Sequence, residues 1–217
     1  MTKVFINGFG RIGRTVLRAW AQGGWPEVEI VGINDIAEAD LCAHLFEYDS
    51  VFGPFNGEVH LDGKTLHVNG RAIPMSQTPD VSTLDLTGVD LVMECTGKAD
   101  GRDVAERPLK AGARRVLISG PSSAADATIV IGANGSDLAD QQIISNASCT
   151  TNALAPLVRL LDDTWGVRTG WMTTIHCYTG SQPTIDAPRG DMMRSRAAAL
   201  SMVPTTTSAM PPTPEGP

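Results

Sequence analysis

Aromatic side chains are scarce in this sequence, at 5% of 217 residues, and positive charge is in deficit, with 17 Lys and Arg against 24 Asp and Glu. The net charge of -7 and an isoelectric point near 5.0 argue against nucleic acid or an anionic membrane as partner, because both repel an acidic surface. No apolar run approaches the ~20 residues that span a bilayer. The N-terminal segment MTKVFINGFG lacks the long apolar stretch of a signal peptide. Cysteine is also sparse: Cys42, Cys95, Cys149 and Cys177 are scattered, with no CxxC pair. That spacing suggests neither a disulfide scaffold nor a zinc site, so no metal is expected. These absences together read as a cytoplasmic protein. What is present is ordinary core material, with 42% hydrophobic and 19% charged residues.

The chain opens on a short apolar strand, Val4-Phe5-Ile6, followed by glycines. Ile12, Val16, Leu17 and Trp20 then recur at three- and four-residue steps, which predicts a helix. Gly23-Gly24 and Pro26 end it, and Val28 to Ile33 reads as a second strand. Strand, glycine turn, helix and strand make a βαβ unit, which requires a parallel sheet and a right-handed crossover. Further apolar runs at 91–93, 116–118, 129–131 and 143–144 look like parallel strands buried on both faces. The segment from Gly53 to Pro74 is turn-rich, with Asn56-Gly57, Asp62-Gly63 and Asn69-Gly70, and predicts antiparallel hairpins set in the middle of the sheet. A helix is expected after Cys149, because Leu154, Leu157, Val158 and Leu161 share a face, with Pro156 in its first turns. Trp171 to Tyr178 reads as a β-rich run and Arg196 to Ser201 as helical; the proline-dense tail 211–217 is expected to be disordered.

Gly8-Phe9-Gly10-Arg11-Ile12-Gly13 fits G-x-G-x-x-G, directly after a strand and at a helix start. In that setting the first glycine permits the tight turn, the second lets backbone approach a pyrophosphate, and the third allows close helix packing. The helix start adds free N–H groups and the positive end of its dipole. Asp35 ends the second strand roughly 20 residues after Gly13, where a carboxylate accepts from both ribose hydroxyls and repels the 2′-phosphate of NADP. The motif therefore points to a dinucleotide site, with NAD favoured.

Cys149 lies at the predicted helix start, within SNASCTTN. Free N–H groups there stabilise a thiolate and an oxyanion on an attacked carbonyl. His176 suits proton transfer and thiolate pairing, although a lone strand histidine is more often structural. Cys42, Cys95 and Cys177 read as small buried hydrophobes, and His44, His60 and His67 as surface or structural residues.

Taken together, NGFGRIGR at 7–14, IND at 33–35, YDSVFG at 48–53, CTG at 95–97, SNASCTTNALAPL at 145–157, TTIHCYTG at 173–180 and RAAALSMVPTTT at 196–207 resemble the phosphorylating glyceraldehyde-3-phosphate dehydrogenase family. The resemblance implies a Rossmann-type doubly wound parallel sheet, an α/β NAD-binding domain over 1–148. It further implies an incomplete α+β catalytic domain over 149–210. It implies Cys149 as the nucleophile that forms a thiohemiacetal and then a thioester, with His176 as its base, and inorganic phosphate as the group that cleaves the thioester. Gly8, Gly10, Arg11, Ile12, Gly13, Asp35, Gln77, Thr96 and Ser119 fall where the family contacts NAD. Ser148, Thr150, Thr179 and Thr207 fall where it holds phosphate groups of substrate and attacking phosphate, and Arg194 and Ser208 are candidates beside that set. The partners implied are glyceraldehyde 3-phosphate and inorganic phosphate, in a homotetramer if the full-length fold is made. The loop from about Thr179 to Arg196 is then expected to lie between subunits.

Several positions depart from the family pattern. Ser181 stands where TGDQ-type members have an acid. Met193 aligns with an arginine, which leaves Arg194 or Arg196 for phosphate, and Ser208 replaces a glycine. After Ala209 the resemblance dissolves, and the region from 149 onward is shorter than the about 100–150 residues common for a self-sufficient domain. A frameshifted, truncated or fragmentary product is expected in preference to a compact new variant. Three readings stay open at this point: a working dehydrogenase, a catalytically dead NAD-binding remnant, and a sister enzyme of erythrose 4-phosphate.

Overall fold

The structure is a computed structural model that describes residues 1–207 and 209. It divides into two compact units, Met1–Ala147 and a second beginning at Ser148. In the first unit the elements run β1 (Thr2–Asn7), α1 (Arg11–Ala21), β2 (Val28–Asn34), α2 (Ala39–Glu47), β3 (Tyr48–Asp49), β4 (Gly53–Pro54), β5 (Val59–Asp62), β6 (Thr65–Val68), β7 (Arg71–Ser76), β8 (Leu91–Glu94), α3 (Arg102–Ala105), α4 (Arg107–Lys110), β9 (Val116–Ile118), β10 (Ala127–Thr128) and β11 (Ile143–Ser145).

Nine of these strands form one sheet in the order β10-β11-β9-β8-β1-β2-β7-β6-β5. From β10 to β7 every pairing is parallel. Strand β1 is central, β2 lies on one side of it and β8 on the other, so the chain reverses its winding direction there. That is the topological switch point at which open α/β sheets bind ligands beyond their strand ends. The fold is α/β, with a largely parallel sheet of Rossmann type.

The apolar runs are continuous because both sheet faces are covered. Val4 and Ile6 of β1 pack with Leu17 and Trp20 of α1 and Phe46 of α2, whereas Phe5 between them faces Val89, Val92 and Ala111 on the opposite side. Period-2 alternation thus sends neighbours into two separate cores, and each fully buried Leu, Ile or Phe contributes about 1.5–3 kcal/mol.

Three expectations for this unit are corrected. The hairpin strands β5 and β6 are antiparallel, as their turn residues dictate, but they extend one edge of the sheet and do not lie in its middle. Asn69 and Gly70 both hold positive φ, of 50° and 76°, which a tight two-residue hairpin requires. Asn56-Gly57 joins no two paired strands. Lastly, the strand expected at 129–131 is displaced to Ala127–Thr128, and Ile131 is solvent-exposed.

In the second unit, α5 spans Cys149–Trp165. Pro156 sits in the middle of this helix and not in its first turns. Its missing N–H forgoes one backbone bond without ending the helix. No strand forms over 171–178 and no helix over 196–201; the latter makes an isolated turn in which Leu200 and Ser201 both donate to the Ala197 carbonyl. A β-rich run becomes a strand only when a neighbour pairs with it, and among the described residues none does. Trp171 and Ile175 are accordingly 95% and 85% exposed. The tail 211–217 and Ser208, given roles above, lie outside the described residues.

Candidate cofactor cleft and thiol site

The cleft of the first unit is assembled where β1, β2 and β8 end. Gly8 follows β1 with φ 95°, and its N–H donates to the Asn34 carbonyl at 2.8 Å. A Cβ at Gly8 would meet the Cys95 carbonyl carbon at 2.7 Å, and one at Gly13 would meet the Gly8 oxygen at 2.1 Å. Both glycines are therefore demanded by the packing of this chain against itself. Gly10 differs: nothing lies within 4 Å of where its Cβ would be, and it is the N-cap of α1 with no side chain to satisfy the first-turn N–H groups. An open, donor-rich helix start is what a pyrophosphate needs.

Next to it is a cleft of about 300 Å³ lined by Gly8, Gly10, Asp35, Glu94, Thr96 and Lys98, among others. Asp35 accepts from the Phe9 and Ala37 backbone N–H groups, at 2.6 and 2.9 Å, which ties the glycine turn to the end of β2. Dinucleotide chemistry fits this donor and acceptor set: N–H groups at one helix start, a carboxylate beside them, and room between.

Of the sequence-derived cofactor residues, Gly8, Gly10, Asp35 and Thr96 line the cleft. Gly13 packs beneath the turn. Arg11 turns away to pair with Asp49 and to cover the Phe52 ring at 4.9 Å, leaving its backbone at the helix start. Ile12 is exposed. Gln77 donates to the Ile36 carbonyl and Glu38, both at 3.2 Å, and the Ser119 N–H donates to the Glu94 carbonyl at 3.0 Å.

Sequence reasoning missed the floor of the cleft. Asn34, Asn7 and Glu94 stand side by side in register on β2, β1 and β8, and all three are buried. Asn34 donates to Asn7 at 2.8 Å, and Asn7 donates to Glu94 at 2.5 Å. Thr96 donates to Glu94 through its backbone N–H at 2.9 Å and also through its hydroxyl. Lys98 and Arg107, also on the cleft wall, were missed as well. The available signal was a polar residue closing each of three neighbouring apolar strands.

In the second unit, Cys149 is the first residue of α5. Ser148 caps that helix, its hydroxyl accepting from the Thr151 N–H at 3.0 Å. The Cys149 sulfur lies 3.2 Å from Nε2 of His176, whose Nδ1 lies 2.6 Å from the Cys177 carbonyl. A carbonyl oxygen only accepts, so Nδ1 carries hydrogen and Nε2 is left to share a proton with the thiol. The hydrogen bond to His176 is the main influence holding the Cys149 thiol below its ordinary range, with contacts to Thr150 adding less. The imidazole is correspondingly raised, first by the Cys177 carbonyl and then by Cys149.

Cys42 and Cys95 are buried, and burial pushes each thiol up to about 11. Cys177, expected to be buried, is exposed, with its sulfur 3.7 Å from Nδ1 of His176. It lies on the unpaired 171–178 run, which has no core to enter. Among the described residues, Thr179, Arg194 and Thr207, expected to hold phosphate, are not joined by direct contacts. Thr179 bonds Ser181 at 3.2 Å, Arg194 donates to the Thr205 hydroxyl at 2.6 and 3.0 Å, and Thr207 accepts from the Ala209 N–H at 3.2 Å. Thr205 was not anticipated. Arg196 pairs with Asp186 at 2.7 Å.

Comparison with known proteins places these observations in a family. Residues 2–102 match the sequence model described as glyceraldehyde 3-phosphate dehydrogenase, NAD binding domain, and residues 148–213 match that of the C-terminal domain. Similar curated proteins include the glyceraldehyde-3-phosphate dehydrogenase of Xanthobacter flavus, 49% identical over 210 residues, covering 95% of this chain and 63% of the relative. Glyceraldehyde-3-phosphate dehydrogenase 1 of Bacillus subtilis is 48% identical over 211 residues, covering 95% and 62%. The Geobacillus stearothermophilus protein is 46% identical over 211 residues, with the same coverages. The chain thus spans a little under two thirds of the length of these relatives.

Proposed function

The chain belongs to the glyceraldehyde-3-phosphate dehydrogenase family, and from that premise we propose that it serves the NAD-dependent oxidative phosphorylation of glyceraldehyde 3-phosphate to 1,3-bisphosphoglycerate. The observation that carries this reading is the 3.2 Å approach of the Cys149 sulfur to Nε2 of His176. A thiol held below its ordinary range chiefly by His176, and an imidazole raised first by the Cys177 carbonyl and then by Cys149, favour the thiolate as nucleophile.

In this reading the Cys149 sulfur bonds the aldehyde carbon, and the oxygen takes the imidazolium proton to give a thiohemiacetal. His176 would then take that hydroxyl proton, and NAD, when held in the cleft, would supply the two-electron acceptance that release of the carbon's hydride requires. A thioester on Cys149 remains. A phosphate oxygen bonds its carbonyl carbon, the carbon–sulfur bond breaks, and Cys149 leaves as thiolate with the acyl phosphate formed. The Nδ1 bond to the Cys177 carbonyl keeps the ring in the one tautomer able to do this.

Residues 1–148 are the proposed NAD-binding domain and 149–210 the beginning of the catalytic domain. Gly8, Gly10, Arg11, Ile12 and Gly13 would hold the pyrophosphate through the helix start, Asp35 a ribose, and Gln77, Thr96 and Ser119 the remainder. Ser148, Thr150, Thr179, Arg194, Thr207 and Ser208 would serve the phosphate groups. A cytoplasmic location, and a homotetramer if the full-length fold is made, go with this reading.

The test is a single turnover. Mixing the chain with NAD and glyceraldehyde 3-phosphate, without phosphate, should produce up to one reduced cofactor per chain, and Cys149→Ser should produce none. Added phosphate should then restore turnover. NAD binding with no burst would overturn the working-enzyme reading in favour of a dead remnant. A larger burst with erythrose 4-phosphate would change the substrate.

A further inference from the structure

Glu94 is only 2% exposed, yet it lines the dinucleotide cleft and the mechanism above makes no use of it. Its hydrogen-bond partners are Asn7 and Thr96, all neutral donors, and no ion pair to it forms among the described residues. Burying a carboxylate costs free energy unless its hydrogen bonds are made. Here they are made by neutral groups, and the cations of the same cleft wall, Lys98 and Arg107, form no ion pair with it.

The charge also sets the direction of a chain of bonds. Glu94 only accepts, so Asn7 must turn its amide nitrogen toward it and its oxygen toward Asn34. Asn34 in turn must present its own oxygen to the Ser76 hydroxyl and the Thr78 N–H, at 3.1 and 3.0 Å. The Thr96 hydroxyl hydrogen is committed to Glu94, so toward a ligand that oxygen can only accept. The end of β8 is therefore an anionic, accepting surface.

Topology says which end of a dinucleotide meets it. Asp35 on β2 marks the adenosine side and the start of α1 the pyrophosphate. A ligand crossing the switch point in that direction brings its nicotinamide half to β8, on the far side of β1. An oxidised nicotinamide ring carries a positive charge and a reduced one does not. In a site of low effective dielectric, a buried carboxylate acts on that difference over several ångströms. Resting on the NAD reading above, we propose that Glu94 sets the preference of this cleft for the oxidised, cationic cofactor over the reduced one.

Calorimetric titration of the whole chain with NAD, NADH and ADP-ribose tests this, with the wild type and Glu94→Gln compared. A carboxamide must point a donor at either Asn7 or Thr96, so some general loss is expected for all three ligands. The proposal requires more than that: the NADH-to-NAD ratio of Kd should fall by about tenfold, while ADP-ribose, which lacks the ring, changes least. Glu94→Asp keeps the charge and should keep most of the ratio. It also carries the test if the glutamine variant does not fold, since its carboxylate is drawn back by one methylene and the ratio should drop only in part. Uniform weakening of all three ligands, with the ratio unchanged in both variants, would mean that Glu94 only supports the floor and would overturn the proposal alone. Failure of the wild type to bind any of the three would overturn the NAD reading and this inference with it.

Discussion

Cys149 and Cys177 are both exposed thiols flanking one imidazole, but they meet different nitrogens. Cys149 faces Nε2 at 3.2 Å, where a proton is shared, while Cys177 lies 3.7 Å from Nδ1, whose hydrogen goes to a carbonyl. The ring thus activates Cys149. The rate of alkylation by iodoacetamide, followed peptide by peptide against pH, should therefore saturate for Cys149 below the ordinary thiol range. The sign is fixed by the lowered thiol: its thiolate persists to lower pH. Cys42 and Cys95, buried and pushed up to about 11, should label last. His176→Asn should move the Cys149 inflection upward and slow its labelling at neutral pH by about tenfold. Equal rates for Cys149 and Cys177 in the wild type would remove the claim of an activated sulfur. Polar flanks and a helix start, both local features, marked Cys149, whereas His176 drew its role from the family resemblance of TTIHCYTG. Neither signal singled out Glu94, whose meaning comes from lying in register beside Asn7 and Asn34 on strands far apart in the chain.

The three motif glycines separate at the level of the elements they join. Gly13 lets α1 start directly on the turn after β1, and an alanine there would put Cβ at 2.1 Å from the Gly8 oxygen. Gly13→Ala should destabilise the first unit by about 3 kcal/mol or more, read as a shift in the urea midpoint. Gly10, with φ -69° and open space around its missing Cβ, should accept alanine with a stability change within about 0.5 kcal/mol, yet NAD binding should weaken at least about tenfold because the methyl enters the cleft. If Gly10→Ala leaves NAD affinity intact, the pyrophosphate does not sit at this helix start. The motif announced three glycines but not which of them the fold itself requires; that is set by the Cys95 and Thr96 backbone against Gly8 and by the Gly8 oxygen and Ile6 against Gly13. The same limit explains the errors elsewhere in the chain. Runs such as 116–118 became strands because neighbours on both sides pair with them, whereas 171–178, also β-rich, finds no partner strand among the described residues.

At the scale of the whole molecule, the two units hold their apolar surface differently. The first encloses three buried clusters. In the second, no residue of α5 is buried, and Trp165, Trp171, Ile175 and Met192 are all exposed. Exposed backbone without packing opens to proteases at little free-energy cost, so trypsin should cut first at exposed sites such as Arg168, Arg189 and Arg196, leaving a fragment that contains the parallel sheet. Further loss of that fragment requires it to unfold. A ligand that binds only the folded form at 100 times its Kd lowers the open population about 100-fold, or about 2.7 kcal/mol. NAD should therefore extend the lifetime of the fragment by a comparable factor in the regime where opening is fast relative to cleavage, and leave the early cuts after 166 unchanged. Gel densitometry over time, with and without NAD, reads both rates in one experiment. Equal slowing of early and late cuts would place the NAD-dependent order in both units, and early cuts within 1–147 would show that the sheet is not the stable part of this chain.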